Sequence, residues 1–404
     1  MAGVRYIKSV KLIPDINNCT LTLSAQLCGG GTLVADAYYE GKKVGTLSLN
    51  APNGGYVTGT VGLSELHLWE IGAGRLYDLK LTYGEDKVSS YFGMRSVMMD
   101  GYKFLLNGKS VYQRLVLDQG FYPDGIYTAP SDEALKNDIQ ISIDAGFNGA
   151  RLHEKVFEPR FLYHCDRMGY IVWGEYGNWG MDHSDVRVIP PFAAEWAEVL
   201  ERDFNHPAII GWCPLNETWD YKTERAQNNE VLRLLYRQTK TTDPTRPCID
   251  TSGNYHVETD IFDLHDYIQD PAEFAELYRL ETPEEMLEVY SQKHIRQMLR
   301  QKGVYIKGQP VFISEYGGIK WDVNSGIDAA WGYGTGPKTE EEFIERYRGL
   351  TDLLLDNPYM CGFCYTQLYD VEQEVNGLYT YGRQPKFDMS IFRKINTRKA
   401  KIED

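Results

Sequence analysis

The sequence of 404 residues has no excess of positive charge and no long apolar run. Its 57 acidic and 42 basic side chains give a net charge of −15 at pH 7. Nucleic-acid grooves and anionic membrane surfaces both require clustered Lys and Arg, so this balance argues against either partner. No window approaches the roughly 18 consecutive apolar residues of a membrane-spanning helix. We therefore expect neither nucleic-acid binding nor a membrane protein.

Cysteine is scarce, and its number is odd. Seven Cys residues in a chain of this length do not suggest a disulfide framework. Cys361 and Cys364 have the spacing of half a zinc site, but no second pair or His cluster accompanies them, which favours a packing role in a strand. No secretory leader precedes the strand-like sequence near the first residue, so the expected location is cytoplasmic.

Aromatic residues, in contrast, are plentiful. They make up 13% of the chain and include 29 Tyr and 8 Trp. This content fits a sugar-binding cleft, because the C–H faces of pyranoses pack on aromatic rings. Tyrosine also fills ordinary sheets, and composition alone favours that plainer interpretation.

Two short apolar runs end in glutamate. The run from Ile209 to Leu215 leads to Asn216 and Glu217, and the run from Pro310 to Ser314 leads to Glu315. Continuous apolar runs are typical of parallel strands covered on both faces, and barrel enzymes keep their chemistry at the carboxyl ends of such strands. A single glutamate there is most often a solvated loop residue. Two glutamates that both follow an apolar strand fit the hydrolysis of a glycosidic bond. That reaction needs one neutral carboxyl group as the acid and one ionised carboxylate as the nucleophile.

These two strand ends resemble those of glycoside hydrolase family 2, which contains β-galactosidases, β-glucuronidases and β-mannosidases. The phrases that carry the resemblance are Asn216-Glu217 and Ser314-Glu315-Tyr316-Gly317. The resemblance implies a (β/α)₈ barrel and a retaining exo-glycosidase, with Glu315 as nucleophile and Glu217 as acid/base. A non-catalytic carbohydrate-binding protein on the same scaffold is the alternative from another class, because a fold does not imply a function.

The rest of the chain supports this fold class. Short strands with Gly-rich turns up to residue 97 predict a small β-sandwich, and the resemblance identifies it as the family's immunoglobulin-like domain. We predict this domain at 1–97 and a catalytic (β/α)₈ TIM barrel at 98–404, including a helix over 284–302. The predicted barrel strands lie at 111–117, 149–153, 171–175, 209–215, 247–252, 261–267, 310–315 and 361–367.

The family's sugar-binding sandwich, which normally precedes the immunoglobulin-like domain, has no counterpart in this sequence. The resemblance therefore implies either a more open cleft or another element that completes it. Self-association into a homo-oligomer is one way to cover the surface that such a sandwich would bury.

The resemblance also implies roles for residues beside the two glutamates. Asn216 would donate to the sugar 2-hydroxyl, and Tyr267 would hydrogen-bond the nucleophile. His153 would contact sugar hydroxyls, and Arg151 would support the nucleophile. Each has a plainer interpretation: a loop-capping amide for Asn216, a structural histidine for His153 and an interior ion pair for Arg151.

A third acid, Glu175, matches an acidic residue common at the end of the third strand in the family. Metal-dependent β-galactosidases carry a Glu-x-His pair a few residues further on, and this chain has Tyr176-Gly177-Asn178-Trp179 instead. We therefore predict no catalytic magnesium and no other cofactor. Trp179 and Trp331 follow strand ends, where they would serve equally well as stacking platforms for a sugar or as loop anchors.

One phrase near the carboxyl terminus bears on the choice of sugar. The β-glucuronidases of the family hold the substrate carboxylate with an Asn-x-Lys motif; here Glu374 replaces the asparagine and Asn376 the lysine. An acid at this position repels a uronate. We expect a neutral hexoside, with β-galactosides first. Sequence leaves β-mannosides, β-glucosides and α-L-arabinopyranosides open, because the orientation of one hydroxyl is decided by side-chain positions.

Overall fold

The computed structural model describes residues 5–218, 227–253, 256–293, 305–322 and 329–403. Its first part is a β-sandwich of two antiparallel sheets with strand orders β1-β2-β5 and β4-β3-β6-β7. The strands are β1 Tyr6–Asp15, β2 Thr20–Cys28, β3 Gly31–Tyr39, β4 Lys42–Ala51, β5 Gly55–Gly62, β6 Tyr77–Tyr83 and β7 Asp86–Phe92. Alternate residues of β2, from Leu21 to Leu27, are buried between the sheets, as expected for strands with one solvated face. The predicted sandwich is confirmed.

A small three-stranded sheet follows the sandwich and leads into the second part of the chain. Its strands are β8 Val97–Asp100, β9 Lys103–Leu106 and β10 Lys109–Ser110. Asn107 and Gly108 join β9 to β10 with φ of 54° and 75°, the backbone that the Asn-Gly pair predicts for a tight hairpin. The boundary between 97 and 98 stays a prediction.

The second part is the predicted (β/α)₈ barrel. Seven parallel strands form one sheet in the order β14-β13-β12-β11-β17-β16-β15. They are β11 Gln113–Asp118, β12 Gly149–Leu152, β13 Ile171–Glu175, β14 Ile209–Cys213, β15 Phe262–Asp266, β16 Val311–Gly317 and β17 Met360–Thr366. The helices are α1 Asp132–Asp144, α2 Pro159–Met168, α3 Ile189–Asp203, α4 Asn229–Thr242, α5 Pro271–Tyr278, α6 Pro283–Lys293, α7 Glu340–Asp356 and α8 Met389–Asn396. Every residue of β12 to β17 is buried, because helices cover the outer face.

The prediction of a regular fifth strand at 247–252 is wrong. This segment makes only isolated bridges to its neighbour, pairing Cys248 with Trp212 and Ser252 with Asn216. Its polar side chains bond outside the sheet ladder: the Asp250 carboxylate accepts from the backbone N–H groups of residues 251, 257 and 258. Such local bonds compete with strand pairing, so the segment closes the barrel without becoming a continuous strand.

Two predicted elements fall partly outside the described residues. The helix predicted over 284–302 is observed as α6 up to Lys293, and 294–304 are not described. The polar sequence Thr218-Trp219-Asp220 predicts a loop after Glu217, and of these three residues only Thr218 lies within the described ranges. No helix among the described residues is both long enough and apolar enough to cross a membrane.

A buried carboxylate on α2 joins the sandwich to the barrel. Asp166 accepts hydrogen bonds from the Tyr91 hydroxyl on β7 at 2.8 Å and from the Ala208 N–H before β14 at 2.9 Å. His206 Nδ1 lies 2.6 Å from the same carboxylate, and the Trp69 indole donates to the Asp166 carbonyl oxygen. One side chain thus satisfies polar groups from both parts of the chain.

We expect Asp166→Ala to lower the free energy of unfolding by about 3 kcal/mol, because it leaves a buried N–H and a half-buried phenol without their acceptor. Urea unfolding followed by tryptophan fluorescence measures this. The matched control is Glu201→Ala, which removes an exposed acid from α3 and should change stability by less than about 0.5 kcal/mol. If the two substitutions lower the free energy of unfolding equally, Asp166 does not stabilise the contact between the sandwich and the barrel.

Candidate active site

The carboxylate of Glu315, on β16, is surrounded by hydrogen-bond donors at the carboxyl end of the barrel. The residue is 4% exposed. Arg151 Nη1 donates to Glu315 Oε1 at 3.0 Å and to the Ser314 carbonyl oxygen at 2.8 Å. The Tyr267 hydroxyl donates a short hydrogen bond to Glu315 Oε2. Both carboxylate oxygens are therefore held in position by side chains of other strand ends.

These neighbours favour the ionised form of Glu315. Burial by itself would raise its pKa, but the charges of His265, Arg151 and His153, together with the Tyr267 hydrogen bond, outweigh burial and lower it. Burial, reinforced by the charge of Glu315, raises the pKa of the Tyr267 phenol well above its usual range, so Tyr267 remains a proton donor in this bond.

Glu217 lies across from Glu315, on the backbone that follows β14. Its φ of 49° is in the left-handed region, which is uncommon for a residue with a side chain. The Glu217 N–H donates to the Ser252 carbonyl oxygen at 2.9 Å, which holds this strained turn against segment 247–252. One carboxylate oxygen each of Glu217 and Glu315, and Nδ1 of His265, all lie within 4.8 Å of one another.

Asn216 presents an unused donor to this site. Its Oδ1 accepts from Arg151 Nη2 at 3.2 Å, and its backbone is clamped by Asn178, which accepts from the Asn216 N–H and donates to its carbonyl oxygen. The amide nitrogen Nδ2 is buried and has no hydrogen-bond partner among the described residues. A buried unsatisfied N–H group is costly, so this donor points to a ligand that carries an acceptor.

Sequence reasoning missed His265, which lies between the two glutamates. Its Nδ1 is 3.0 Å from Glu217 Oε1 and 3.4 Å from Glu315 Oε2, and its side chain is 1% exposed. The available signal was strand alternation: His265 lies on β15 two residues before Tyr267, which directly follows the strand, so both side chains are on the same face. Within the described residues, no other group of three acids and histidines has a spacing that would suit a metal ion. A hydrogen bond already joins His265 to Glu217, and we assign no metal to this group.

Behind the glutamates lies a buried layer of charge. Arg151 Nε donates to Glu175 Oε1 at 2.7 Å. Burial by itself would raise the pKa of Glu175, but Arg151 and His153 outweigh it and lower it to about 2. Burial alone would likewise lower the pKa of His153, and the carboxylates of Glu175 and Glu315 instead raise it to about 9. Arg151 and Glu175 are both buried, so neither lines the opening of the site. Arg151 contacts Glu315 and Asn216 directly, and Glu175 acts through its bond to Arg151.

The aromatic residues form one wall near Glu315. Tyr333, also missed by the sequence reasoning, stacks on Tyr267 with ring centroids 3.4 Å apart. Trp331 packs edge-on against Tyr333 and is 41% exposed. Trp331 therefore belongs to this aromatic wall. Trp179 is 61% exposed and makes no ring contact with another aromatic residue of the described chain, so it is not joined to the wall.

The loop that carries Trp179 is held by Glu154, a half-buried acid that the sequence reasoning also missed. Glu154 Oε2 accepts from the N–H groups of Asn178 and Trp179, while Oε1 is buried without a hydrogen-bond partner in the described chain. Burial raises the pKa of Glu154 to about 7. Glu154 therefore fixes the backbone of the loop next to Asn216.

The residues at the expected sugar-selecting position form a connected polar cluster. Asn376 Nδ2 donates to Glu374 Oε1 at 3.1 Å, and Gln119 Nε2 donates to Glu374 Oε2 at 3.1 Å. Gln367 joins them, donating to Asn376 Oδ1 and accepting from Gln119 Nε2. Burial raises the pKa of Glu374, with a further contribution from the charge of Glu315. Sequence reasoning named Glu374 and Asn376 but not the two glutamines.

The chain is similar to known proteins over most of its length. Residues 97–400 match the model described as glycosyl hydrolases family 2, TIM barrel domain. A β-galactosidase of Leuconostoc mesenteroides is 23% identical over 346 residues, covering 80% of this chain and 31% of that protein. A β-glucuronidase of Streptococcus agalactiae is 24% identical over 374 residues, covering 82% of this chain and 58% of that protein.

Among solved structures, the β-glucuronidase of Ruminococcus gnavus superimposes with a TM-score of 0.77 at 17% identity, over 98% of this chain and 68% of that one. This likeness concerns the fold. The chain thus spans from about a third to three-fifths of the length of these two curated relatives. Since the family model covers about three-quarters of its residues, the chain belongs to glycoside hydrolase family 2.

Proposed function

We propose that this protein hydrolyses terminal β-glycosides by a double displacement, with retention of the anomeric configuration. The observation that carries the proposal is the spacing of Glu217 and Glu315, whose nearest oxygens lie within 4.8 Å. Retaining glycosidases separate their carboxyl groups by roughly 5–5.5 Å, and inverting enzymes by roughly 6.5–9.5 Å to admit a water molecule. The short spacing supports direct attack on the anomeric carbon.

The two carboxyl groups take different roles because their surroundings differ. Glu315, which accepts from Arg151 and Tyr267, is favoured as the ionised nucleophile that forms the covalent glycosyl-enzyme. Glu217 then supplies a proton to the leaving oxygen and later takes one from the attacking water. The unused Nδ2 donor of Asn216 suits the sugar 2-hydroxyl, a contact that strengthens in the transition state.

Among sugars, we propose a neutral hexoside, with a β-D-galactoside as first choice. The support is Glu374, a largely buried carboxylate near Glu315 that accepts from Gln119 and Asn376 and suits hydroxyl donors better than a second carboxylate. The matched relatives include both a β-galactosidase and a β-glucuronidase, so the uronide is the competing candidate. β-Mannosides, β-glucosides and α-L-arabinopyranosides remain alternatives.

The test is release of nitrophenol from a panel of β-galactoside, β-glucoside, β-mannoside, β-glucuronide and α-L-arabinopyranoside. We expect turnover of one neutral glycoside, unchanged by EDTA. NMR of the first-formed product should show the β-anomer of the sugar. Turnover of the glucuronide alone would contradict the sugar assignment, and no turnover at all would favour a non-catalytic sugar-binding protein.

The double substitution Glu374→Asn with Asn376→Lys tests the sugar assignment directly. It replaces the repelling acid with the Asn-x-Lys motif of the β-glucuronidases. We expect kcat/KM to rise at least about tenfold for the β-glucuronide and to fall for the neutral glycoside, since each 1.4 kcal/mol of differential binding is worth a factor of ten.

The control for this swap is Glu372→Gln, which removes an exposed acid from the same loop. It should leave the ratio of the two substrates unchanged. Because burial raises the pKa of Glu374, its neutral fraction at a given acidic pH exceeds that of an ordinary glutamate and grows as the pH falls. Any residual glucuronide turnover by the wild-type protein should therefore increase, relative to the neutral glycoside, at lower pH. If the ratio of glucuronide to neutral-glycoside turnover changes neither with the double substitution nor with pH, Glu374 does not determine the choice of sugar.

A further inference from the structure

The imidazole of His265 is held in one orientation between the proposed acid/base and the nucleophile. Nδ1 faces Glu217 and Glu315 at 3.0 and 3.4 Å. On the other side of the ring, Nε2 lies 2.8 Å from the Ser252 hydroxyl. Gly253, with φ of +108°, packs so closely that a Cβ there would meet ring atoms at 3.0–3.2 Å. The ring therefore has little freedom to turn.

The partners of Ser252 decide which ring nitrogen carries a fixed hydrogen. Ser252 Oγ lies 2.8 Å from Asp263 Oδ2, and the carboxylate is the stronger acceptor for its single proton. Burial by itself would raise the pKa of Asp263, but His256 and other neighbours outweigh burial and lower it, so Asp263 is an acceptor. With its proton given to Asp263, Ser252 accepts from His265, and Nε2 bears the hydrogen.

This assignment leaves Nδ1 as the variable position. Nδ1 either accepts the proton of Glu217 or carries a proton that both glutamates accept. Several charged or titratable groups face the ring or act on it through its neighbours. They are Glu217 after β14, Glu315 on β16, Asp263 on β15, Arg151 and His153 on or after β12, Glu175 on β13 and Tyr267 after β15.

We propose that the proton used in the acid step is shared between Glu217 and Nδ1 of His265 across their 3.0 Å contact. This inference rests on the proposed glycosidase function. His265 is a positioning residue, since it acts through Glu217. Coupled groups of this kind lose their protons in steps that belong to the pair rather than to either residue.

Because Glu217 and His265 share this proton next to Glu315, the position of the proton depends on the charge of Glu315. In the first step Glu315 bonds to the anomeric carbon, the glycosidic C–O bond breaks, and the shared proton passes through Glu217 to the leaving oxygen. Glu315 is then an uncharged ester, so the field that held a proton on the pair is gone and Glu217 is free to act as base. In the second step water bonds to the anomeric carbon, its proton goes to the pair, and Glu315 leaves as carboxylate.

Two variants of His265 separate proton sharing from simple support. His265→Asn retains a neutral donor near the Nδ1 position but cannot hold a second proton, and His265→Leu retains neither property. With Leu we expect kcat/KM to fall about 100-fold for an unactivated phenyl glycoside and less than about tenfold for a dinitrophenyl glycoside, whose leaving group needs no acid. With Asn we expect most of the optimal rate, but the alkaline limb of the pH profile should move by about one pH unit or more.

The matched control is His164→Asn, which alters a histidine on α2 whose Nε2 lies 3.0 Å from Asp132. It should leave both the pH profile and the leaving-group dependence unchanged. An alkaline limb that keeps its position in both His265 variants, each shown by circular dichroism to be folded, would overturn the proposal.

A measurement without turnover keeps the proposal testable if the glycosidase function fails. The chain has only 8 His residues, and ¹⁵N-labelled histidine reports the protonation of each ring nitrogen. The His265 signals, assigned by their loss in His265→Asn, should show a protonated Nε2 and an Nδ1 shift that changes in Glu217→Gln. If Nδ1 is protonated, Nε2 is unprotonated and neither signal changes in Glu217→Gln, the proposal of a shared proton is overturned even if the enzyme is active. An absence of turnover in the wild type would instead overturn the proposed function.

Discussion

Glu315→Gln should lower kcat/KM for the preferred glycoside by about 10⁴-fold or more, the scale seen when a nucleophile is removed from an enzyme that acts through a covalent intermediate. The amide preserves the shape of the side chain but cannot form the glycosyl ester. Arg151 keeps its bond to Glu175 Oε1, so the buried guanidinium is not left without a carboxylate. We therefore expect the variant to fold.

The measurement is steady-state hydrolysis of the nitrophenyl glycoside identified by the panel, with thermal unfolding followed in parallel. A matched control is Glu374→Gln, which neutralises another largely buried acid near the same opening. It should change the choice of sugar without abolishing turnover. A Glu315→Gln variant that retained more than about 1% of wild-type activity would exclude Glu315 as nucleophile.

Glu217→Ala should be the second most damaging change, and its effect should depend on the leaving group. Loss of a general acid costs typically 10²- to 10⁴-fold for a poor leaving group, whereas a dinitrophenyl glycoside departs without protonation. For the activated substrate, the glycosyl-enzyme should form readily and then accumulate, because no base activates water for the second step. A burst of nitrophenol followed by slow turnover is the expected time course.

Added azide provides the decisive control for Glu217→Ala. A small anion fits the space left by the carboxylate and attacks the anomeric carbon without needing a base. We expect azide to restore turnover of the activated substrate and to yield the β-glycosyl azide, with the configuration of the substrate retained. An α-glycosyl azide from Glu217→Ala would instead indicate direct displacement and exclude the covalent intermediate. In Glu315→Gln, where that ester cannot form, azide should not restore the β-product.

The five predictions probe different parts of the molecule. The variants at Glu315 and Glu217 test the reaction, the Glu374 swap tests the choice of sugar, and the His265 variants test the location of one proton. Asp166→Ala tests the join between sandwich and barrel and should leave the pH profile unchanged. Loss of activity in every variant, including the surface controls, would mean that the protein is merely unstable.

The sequence by itself determined the architecture and the position of the two glutamates. Apolar runs such as Ile209–Cys213 are typical of strands buried on both faces, and parallel strands bring their carboxyl ends to one rim. A polar residue directly after such a strand therefore lies at that rim whatever the details of packing. The roles of Asn216, Tyr267 and Arg151 were predicted from the resemblance to glycoside hydrolase family 2.

Only the tertiary structure decided which of these groups touch, because contacts between strands distant in sequence depend on barrel closure. Segment 247–252 has strand-like composition, yet the hydrogen bonds of Asp250 and Ser252 outside the ladder prevent a regular fifth strand. That irregular segment brings Ser252 and Gly253 against His265 and so turns Nδ1 toward both glutamates. Local pattern cannot predict such placement, since it arises from long-range packing of buried polar groups that have no periodicity of their own.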